Sequence, residues 1–368
     1  MKTLGLILGC LIYATNAQLG GLLGGGGGLG GGLSGRLGGG LSIPKSPIPI
    51  PGLDQLEKLF LQDWLDFGTK FNKNYNPLEA PLRKANFLQN IDAITKLAQQ
   101  TGQGALNFGL KINEYADMLF DEFNKLFNGF RIKGHASKAL PFEPPAGAAI
   151  PDSIDWREKG AVTPVKNQNQ CAGCWAFSVA GALEGHIARK SGNLPEISMQ
   201  HLIDCATGKY DNDGCRGGLT ETGFDYVEDN GINSYTDYPY EAINTTCRSK
   251  KENSVASCHG YVRIPDGDEK ALAQALASYG PISAAIHVTK NFQFYGDKIF
   301  DDPECGNLPD NLNHAILIVG YGKEADGRKF WLVKNSYGDT WGEKGYFKLA
   351  RDEGNKCGIA TYARYPLV

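Results

Sequence analysis

From Asp54 onward the apolar residues Leu56, Leu59, Phe60, Trp64, Leu65 and Phe67 recur at helical spacing and predict a first helix. A second follows Pro81, where Glu79, Arg83, Phe87, Asn90 and Ile94 step by four, four, three and four residues and so share one face. The most apolar helical stretch starts at Cys174 and runs to about Arg189. Ala176, Phe177, Val179, Ala180 and Leu183 leave it few polar positions, which predicts burial over most of its circumference, with Ser191-Gly192-Asn193 as the stop. Residues 198–205 read as a short capped helix and 214–218 as a glycine-rich loop. From about Tyr261 the pattern changes, and the runs 282–288, 315–321, 330–334 and 345–350 predict strands of a sheet or barrel.

The first fifty residues follow neither period. Met1-Lys2-Thr3, an apolar run over 4–13 and small residues up to Ala17 have the form of a secretory signal peptide (1–17), too short to span a membrane. Over 20–40, fourteen of the twenty-one residues are Gly, which costs too much backbone entropy to fold alone, and 44–51 is Pro-rich and extended. The segment 18–52 therefore reads as a removable spacer, with adhesion or self-association as the other reading. A hydrophobic content of 42% suits a globular core, and a formal charge of −3 gives no basic surface for nucleic acid, which is excluded as a partner. Secretion implies an oxidising compartment. Of nine cysteines, Cys10 leaves with the signal peptide, and the other eight should pair unless something keeps one free. No spacing suggests a metal site, and no cofactor or membrane span is expected.

Cys174 at the first turn of a buried helix meets unpaired backbone N–H groups and the positive end of the macrodipole, which favour thiolate and make it a candidate nucleophile. It lies in Gln168-Asn169-Gln170-Cys171-Ala172-Gly173-Cys174-Trp175. Far downstream come His314, in Leu312-Asn313-His314-Ala315-Ile316, and Asn335, in Trp331-Leu332-Val333-Lys334-Asn335-Ser336-Tyr337-Gly338. His186, His201, His259 and His287 lack such context and read as structural or surface residues.

The three motifs, in this order, resemble the papain-like cysteine proteases. Upstream, the helix face from Glu79 to Ile94 resembles the Glu-Arg-Phe-Asn-Ile-Asn pattern of the inhibitory propeptide in cathepsin L-like members, with Ala98 in place of the last Asn. Asn113-Glu114-Tyr115-Ala116-Asp117 resembles the second propeptide motif, and Pro151 to Gly160 resembles the mature N-terminus. The resemblance implies an α+β, two-lobed papain-like fold, a helical lobe and a β-barrel-like lobe with the cleft between. It divides the chain into a helical inhibitory domain (53–130), laid through the cleft in the reverse of the substrate direction, an exposed linker (131–149) and a peptidase domain (150–368). It implies a cysteine endopeptidase made as a zymogen, with Cys174 as nucleophile, His314 as base and acid, Asn335 as orienter, and Gln168 with the Cys174 N–H as oxyanion hole.

By the same resemblance Leu219, Thr220, Ala285, Leu312 and Tyr362 line the main specificity pocket, Gly218 bonds the substrate backbone, and Trp341 is a further substrate-binding residue. Disulfides Cys171–Cys215, Cys205–Cys247 and Cys305–Cys357 are implied, leaving Cys174 and Cys258, the latter as a buried free thiol. Asn244-Thr245-Thr246 is a glycosylation sequon at Asn244. The chain departs from the family at Ala172-Gly173, where Gly-Ser is usual, and at Tyr337, where Trp commonly shields the His–Asn bond. The methyl of Ala172 is expected to crowd the substrate site or strain the backbone and so tune specificity. The ring of Tyr362 is expected to make the pocket shallow and favour medium aliphatic over aromatic residues. Expected partners are protein or peptide substrates, the chain's own propeptide and cystatin-like inhibitors, with the enzyme a monomer in the secretory pathway, destined for the lysosome or outside the cell. Two other readings stand beside this one: a peptide-binding homologue with little or no activity, and a thiol–disulfide oxidoreductase using Cys171-x-x-Cys174.

Overall fold

The computed structural model describes residues 52–101, 108–132, 134, 136–145, 147 and 150–368. The signal peptide and nearly all of the glycine-rich spacer lie outside the described residues. The chain folds in the papain-like α+β manner, with a helical region in front of a helix-rich lobe and a sheet-rich lobe. Among the described residues no helix is long and apolar enough to cross a membrane.

In the leading region α1 (Leu53–Lys70) and α2 (Ala80–Thr101) pack through Trp64, Phe67 and Phe87, whose rings lie 4.8 to 5.8 Å apart. The polar members of the α2 face bind the chain that follows. Arg83 pairs with Glu79 and Glu122 at 2.8 Å each, and buried Asn90 donates to the carbonyls of Ala116 and Met118 at 2.9 and 2.8 Å. Helix α3 (Phe120–Phe127) then leads into the cleft. Among the contacts that fasten this region to the rest, Gly109–Leu110 pairs antiparallel with Tyr295–Asp297, and Asn113 Nδ2 donates to the carbonyl of Gln293 at 2.7 Å.

The helix-rich lobe holds α4 (Cys174–Ser191), α5 (Met199–Cys205) and α6 (Thr220–Asn230). Helix α4 ends at Gly192 in the left-handed conformation, and Ser198 caps α5 by accepting from the His201 N–H. The sheet-rich lobe contains β1 (Leu140–Pro141), β2 (Ile154–Asp155), β3 (Tyr261–Arg263), helix α7 (Glu269–Tyr279), β4 (Ile282–Ile286), β5 (Ile299–Phe300), β6 (His314–Lys323), β7 (Lys329–Lys334), β8 (Tyr346–Ala350) and β9 (Ala363–Pro366). Their order is β1-β3-β9-β4-β6-β7-β8-β5, with β2 against β6.

Strand β6 is buried on both faces and divides the two cores. Ala315, Leu317 and Val319 face the cluster around α4, and Ile316 and Ile318 face the sheet lobe. Helix α4 approaches it closely, since a Cβ at Gly181 would lie 2.7 Å from Leu317 Cδ2, and farther along the helix one at Gly185 would lie 2.6 Å from Pro281, just before β4. Ser178, on the same face, donates to the carbonyl of Ile316 at 2.7 Å.

The linker is not free along its length. Leu140–Pro141 forms an edge strand parallel to β3, the Phe142 N–H donates to the carbonyl of Arg263 at 3.0 Å, and the Phe142 ring is buried against Tyr279. Leu140, Pro141 and most of the other described linker residues are exposed, as expected of a connector, and Phe142 is the buried exception because β3 offers an unpaired edge and its apolar neighbours a seat for one ring.

Replacing Asn90 with Ala leaves two buried carbonyls without their donor. Asn90→Ala is expected to destabilise the leading region by about 2 kcal/mol, read as a lower first transition when the full chain is unfolded by denaturant.

Candidate active site

The loop 167–173 brings Gln168 to the start of α4. A left-handed residue, Asn169 (φ 50°), turns the chain so that Cys171 N–H reaches the carbonyl of Asn169 at 2.8 Å. Gln168 is held on every side. Its N–H donates to the Ser336 carbonyl at 2.8 Å, its Oε1 accepts from Ser336 Oγ, and its carbonyl accepts from Tyr240 Oη at 2.7 Å. The Tyr240 ring in turn stands edge-on to Phe177, in the first turn of α4, with centroids 5.0 Å apart.

Cys174 is the first residue of α4, fully buried, and its thiol is free. The sulfur accepts from two backbone N–H groups, Ala315 at 3.5 Å and Gly129 at 3.3 Å. Ala315 follows His314, so the Cys174 sulfur lies against the backbone next to His314. His314 Nε2 lies 2.8 Å from Asn335 Oδ1, while Nδ1 is buried without a hydrogen-bond partner. Tyr337 lies against the imidazole, centroids 4.7 Å apart. Trp341, expected at the substrate surface, is buried behind Tyr337 among Phe292, Tyr295 and Phe347, and its Nε1 donates to the carbonyl of Gln293. Beside Asn335, Lys334 Nζ donates to Thr163, whose hydroxyl donates to Glu184 of α4 at 2.7 Å.

The cleft holds the chain's own residues 127–131. Gln168 Nε2 donates to the Phe127 carbonyl at 2.8 Å, Gly218 donates to and accepts from the segment at Gly129 and Arg131, and Phe130 bridges Gly218 in the parallel sense. Phe130 shares one buried cluster with Leu219, Ala285, Leu312 and Tyr362, with Thr220 buried at the adjoining start of α6. An aromatic ring of the chain's own leading region thus sits against Tyr362. Tyr362 stands edge-on to Phe130 at 4.9 Å, and Arg364, 4.1 Å over its other neighbour face and paired with Glu221, holds it there as a wall.

Ala172 shows no left-handed strain, and its N–H donates to the Cys215 carbonyl. Its contact is with Gly129, where an added Cβ would lie 1.8 Å from the Ala172 carbonyl oxygen. The sulfurs of Cys171 and Cys215 are joined, as are those of Cys205 and Cys247, and of Cys305 and Cys357. Cys171 is thus unavailable to Cys174, which removes the oxidoreductase reading. Cys258 is free and buried, and burial pushes its thiol up to about 12. Asn244 is exposed, with Oδ1 accepting from the Cys215 N–H. Among the described residues no His, Cys, Asp or Glu cluster could hold a metal ion.

Comparison with known proteins agrees with this arrangement. The family described as papain family cysteine protease matches residues 150–367, and the cathepsin propeptide inhibitor domain (I29) matches 64–123. The chain belongs to the papain family of cysteine proteases. It is 44% identical over 324 residues to a cathepsin L-like peptidase of Aedes aegypti, covering 85% of this chain and 95% of that one. Digestive cysteine proteinase 1 of Homarus americanus is 44% identical over 308 residues, 83% and 94% of the two chains. The structure of digestive procathepsin L 3 from Tenebrio molitor larval midgut matches with a TM-score of 0.78 at 38% identity, over 84% of this chain and 99% of that one.

This papain-family chain is a zymogen, and Cys174 and His314 are fully buried in its cleft. Burial raises the Cys174 thiol above its ordinary value, and burial lowers His314 to about 4. The helix start alone argued for a thiolate, but with 127–131 in place desolvation outweighs it and the neutral pair is favoured. The sequence did not single out Asn128, Gly129 and Phe130, nor Tyr240 and Ser336. An aromatic–Asn–Gly–aromatic run directly after the last propeptide helix was the available signal for the first three.

Two outcomes are expected. In Gly129→Ala the methyl has no room beside Ala172, so the segment lifts from the sulfur and iodoacetamide labels the Cys174 thiol of the zymogen about tenfold faster. His314 binds a proton less readily in the closed cleft than at its ordinary value near 6.5. Closure is therefore fully stable above about pH 6.5 and weakens as pH falls toward 4. Melting of full-length Cys174→Ser is expected to fall over that window, and the added change His314→Ala is expected to make the slope shallower, leaving the share of His186 and His201, which burial also lowers to about 4.

Proposed function

We propose that, once the propeptide is removed, this protease is an endopeptidase in which Cys174 and His314 form a thiolate–imidazolium pair. The observation that carries this reading is the free Cys174 sulfur at a helix start, bonded to the N–H next to His314, whose Nε2 is already tied to Asn335. His314 Nδ1, left unpaired, is the nitrogen that takes the thiol proton.

The thiolate attacks the scissile carbonyl carbon. The oxygen gains charge, and the Gln168 Nε2 donor, which meets the Phe127 carbonyl in the zymogen, and the Cys174 N–H stabilise it. The intermediate collapses as His314 protonates the leaving amine, giving a thioester. Water, deprotonated by His314, then releases the acid and restores the thiol. Asn335 keeps the ring in plane throughout, and Tyr337 keeps water from that bond.

The occupied cleft supports a pocket that accepts phenylalanine as well as aliphatic side chains two residues before the cut. We place the mature N-terminus near Ile150. A leader of signal-peptide form and digestive relatives support a secretory route, to the lysosome or outside the cell.

The test is cleavage of a fluorogenic dipeptide amide by acid-matured protein, with and without an alkylating epoxide. Cleavage that the epoxide abolishes is expected, with none from Cys174→Ser. Gln168→Ala should lower kcat about 100- to 1,000-fold while alkylation persists. Epoxide labelling at Cys174 without any cleavage would instead favour the peptide-binding reading.

A further inference from the structure

The reversed propeptide also reports on the side of the cleft opposite the Phe130 pocket. With Gly129 over the Cys174 sulfur and Phe130 among Leu219, Ala285, Leu312 and Tyr362, Asn128 falls where the leaving group of a substrate would lie. Its side chain is not simply packed there. Only 6% exposed, it accepts from Tyr337 Oη through Oδ1, and its amide nitrogen donates to Asn124 Oδ1 at 2.9 Å.

Tyr337 is fixed from behind. Its ring lies between His314, at 4.7 Å, and Trp341, at 5.4 Å, and Trp341 is pinned by its bond to the carbonyl of Gln293. The remaining ring neighbours, Tyr115, Phe123 and Phe127, belong to the propeptide and depart with it, as does the Tyr115 hydroxyl that donates to the Tyr337 carbonyl. What stays on the mature wall is a phenol held by protein on one side and open on the other, beside the catalytic imidazole. A Trp at this place, as is common in the family, has no hydroxyl to offer.

We propose that in the mature enzyme the Tyr337 hydroxyl is a specificity-determining donor for the residue just after the cut bond, and that it takes a side chain bearing an amide carbonyl, asparagine or glutamine. The propeptide already fills this position with that chemistry. A buried phenol is a neutral donor, and an amide oxygen satisfies it where an aliphatic side chain leaves it unpaired. The inference rests on the catalytic reading given above.

The experiment compares two peptides identical except for Asn or its near-isostere Leu after the cut, with product masses fixing the bond cleaved. A coumarin amide, which carries no side chain there, is run alongside. The ratio of kcat/KM for the Asn peptide to that for the Leu peptide is expected to fall about fivefold from wild type to Tyr337→Phe, the loss of one ordinary hydrogen bond. Tyr337→Trp, which also lacks the hydroxyl but keeps a flat cover, is expected to give the same fall and guards against misfolding of the first variant. An unchanged ratio in both variants would overturn the inference, even if the propeptide were released more easily, because the bond would then serve latency alone. Failure of wild type to cleave the coumarin amide would overturn the catalytic reading itself, and this inference with it.

Discussion

The close seating of α4 on β6 is the constraint from which the site follows. Gly181 and Gly185 leave no side chain between helix and sheet, and Ser178 bonds across to Ile316, so the start of the helix is carried against Ala315. A larger residue at either glycine would move a sulfur in one lobe away from an imidazole in the other. Lys334, Thr163 and Glu184 repeat the tie beside Asn335, with burial lowering Lys334 to about 8 and raising Glu184. Groups from separate lobes that are to act together need such a fixed joint more than groups on one element do.

Inhibition uses the same joint in reverse. The propeptide presents an N–H, not an electrophilic carbon, to the Cys174 sulfur, occupies the Gln168 amide with the Phe127 carbonyl, and keeps water from His314. Sterics, donor occupancy and desolvation all act at once. The last is absent from a view of the propeptide as a plug, and it acts through the burial of His314.

Much of this was legible in the chain. Helix α4, the capped α5 and strands β4, β6, β7 and β8 appear where period and caps predict them, because each has a continuous buried face or stripe. The site motifs were legible because their neighbours come with them. Leu140–Pro141 and the seat of Phe142 were not, since no local pattern marks a strand whose partner lies across the fold at Tyr261–Arg263. The direction of the Tyr362 ring was not legible either, because the distant Arg364 and Glu221 set it. That burial beneath residues 127–131 raises the Cys174 thiol was not legible, because a helix terminus is local while desolvation is supplied by distant residues.

Maturation that discards Leu140–Pro141 converts an interior ladder position into a rim. Strand β3 would then present backbone groups with no mate, an invitation to promiscuous pairing between copies. Arg263, exposed at the end of that rim and bonded to Asp266, sets opposed charges beside it. The newly made enzyme is thus guarded, at the margin its precursor had covered, by hydrated side chains that an incoming strand would have to strip of water.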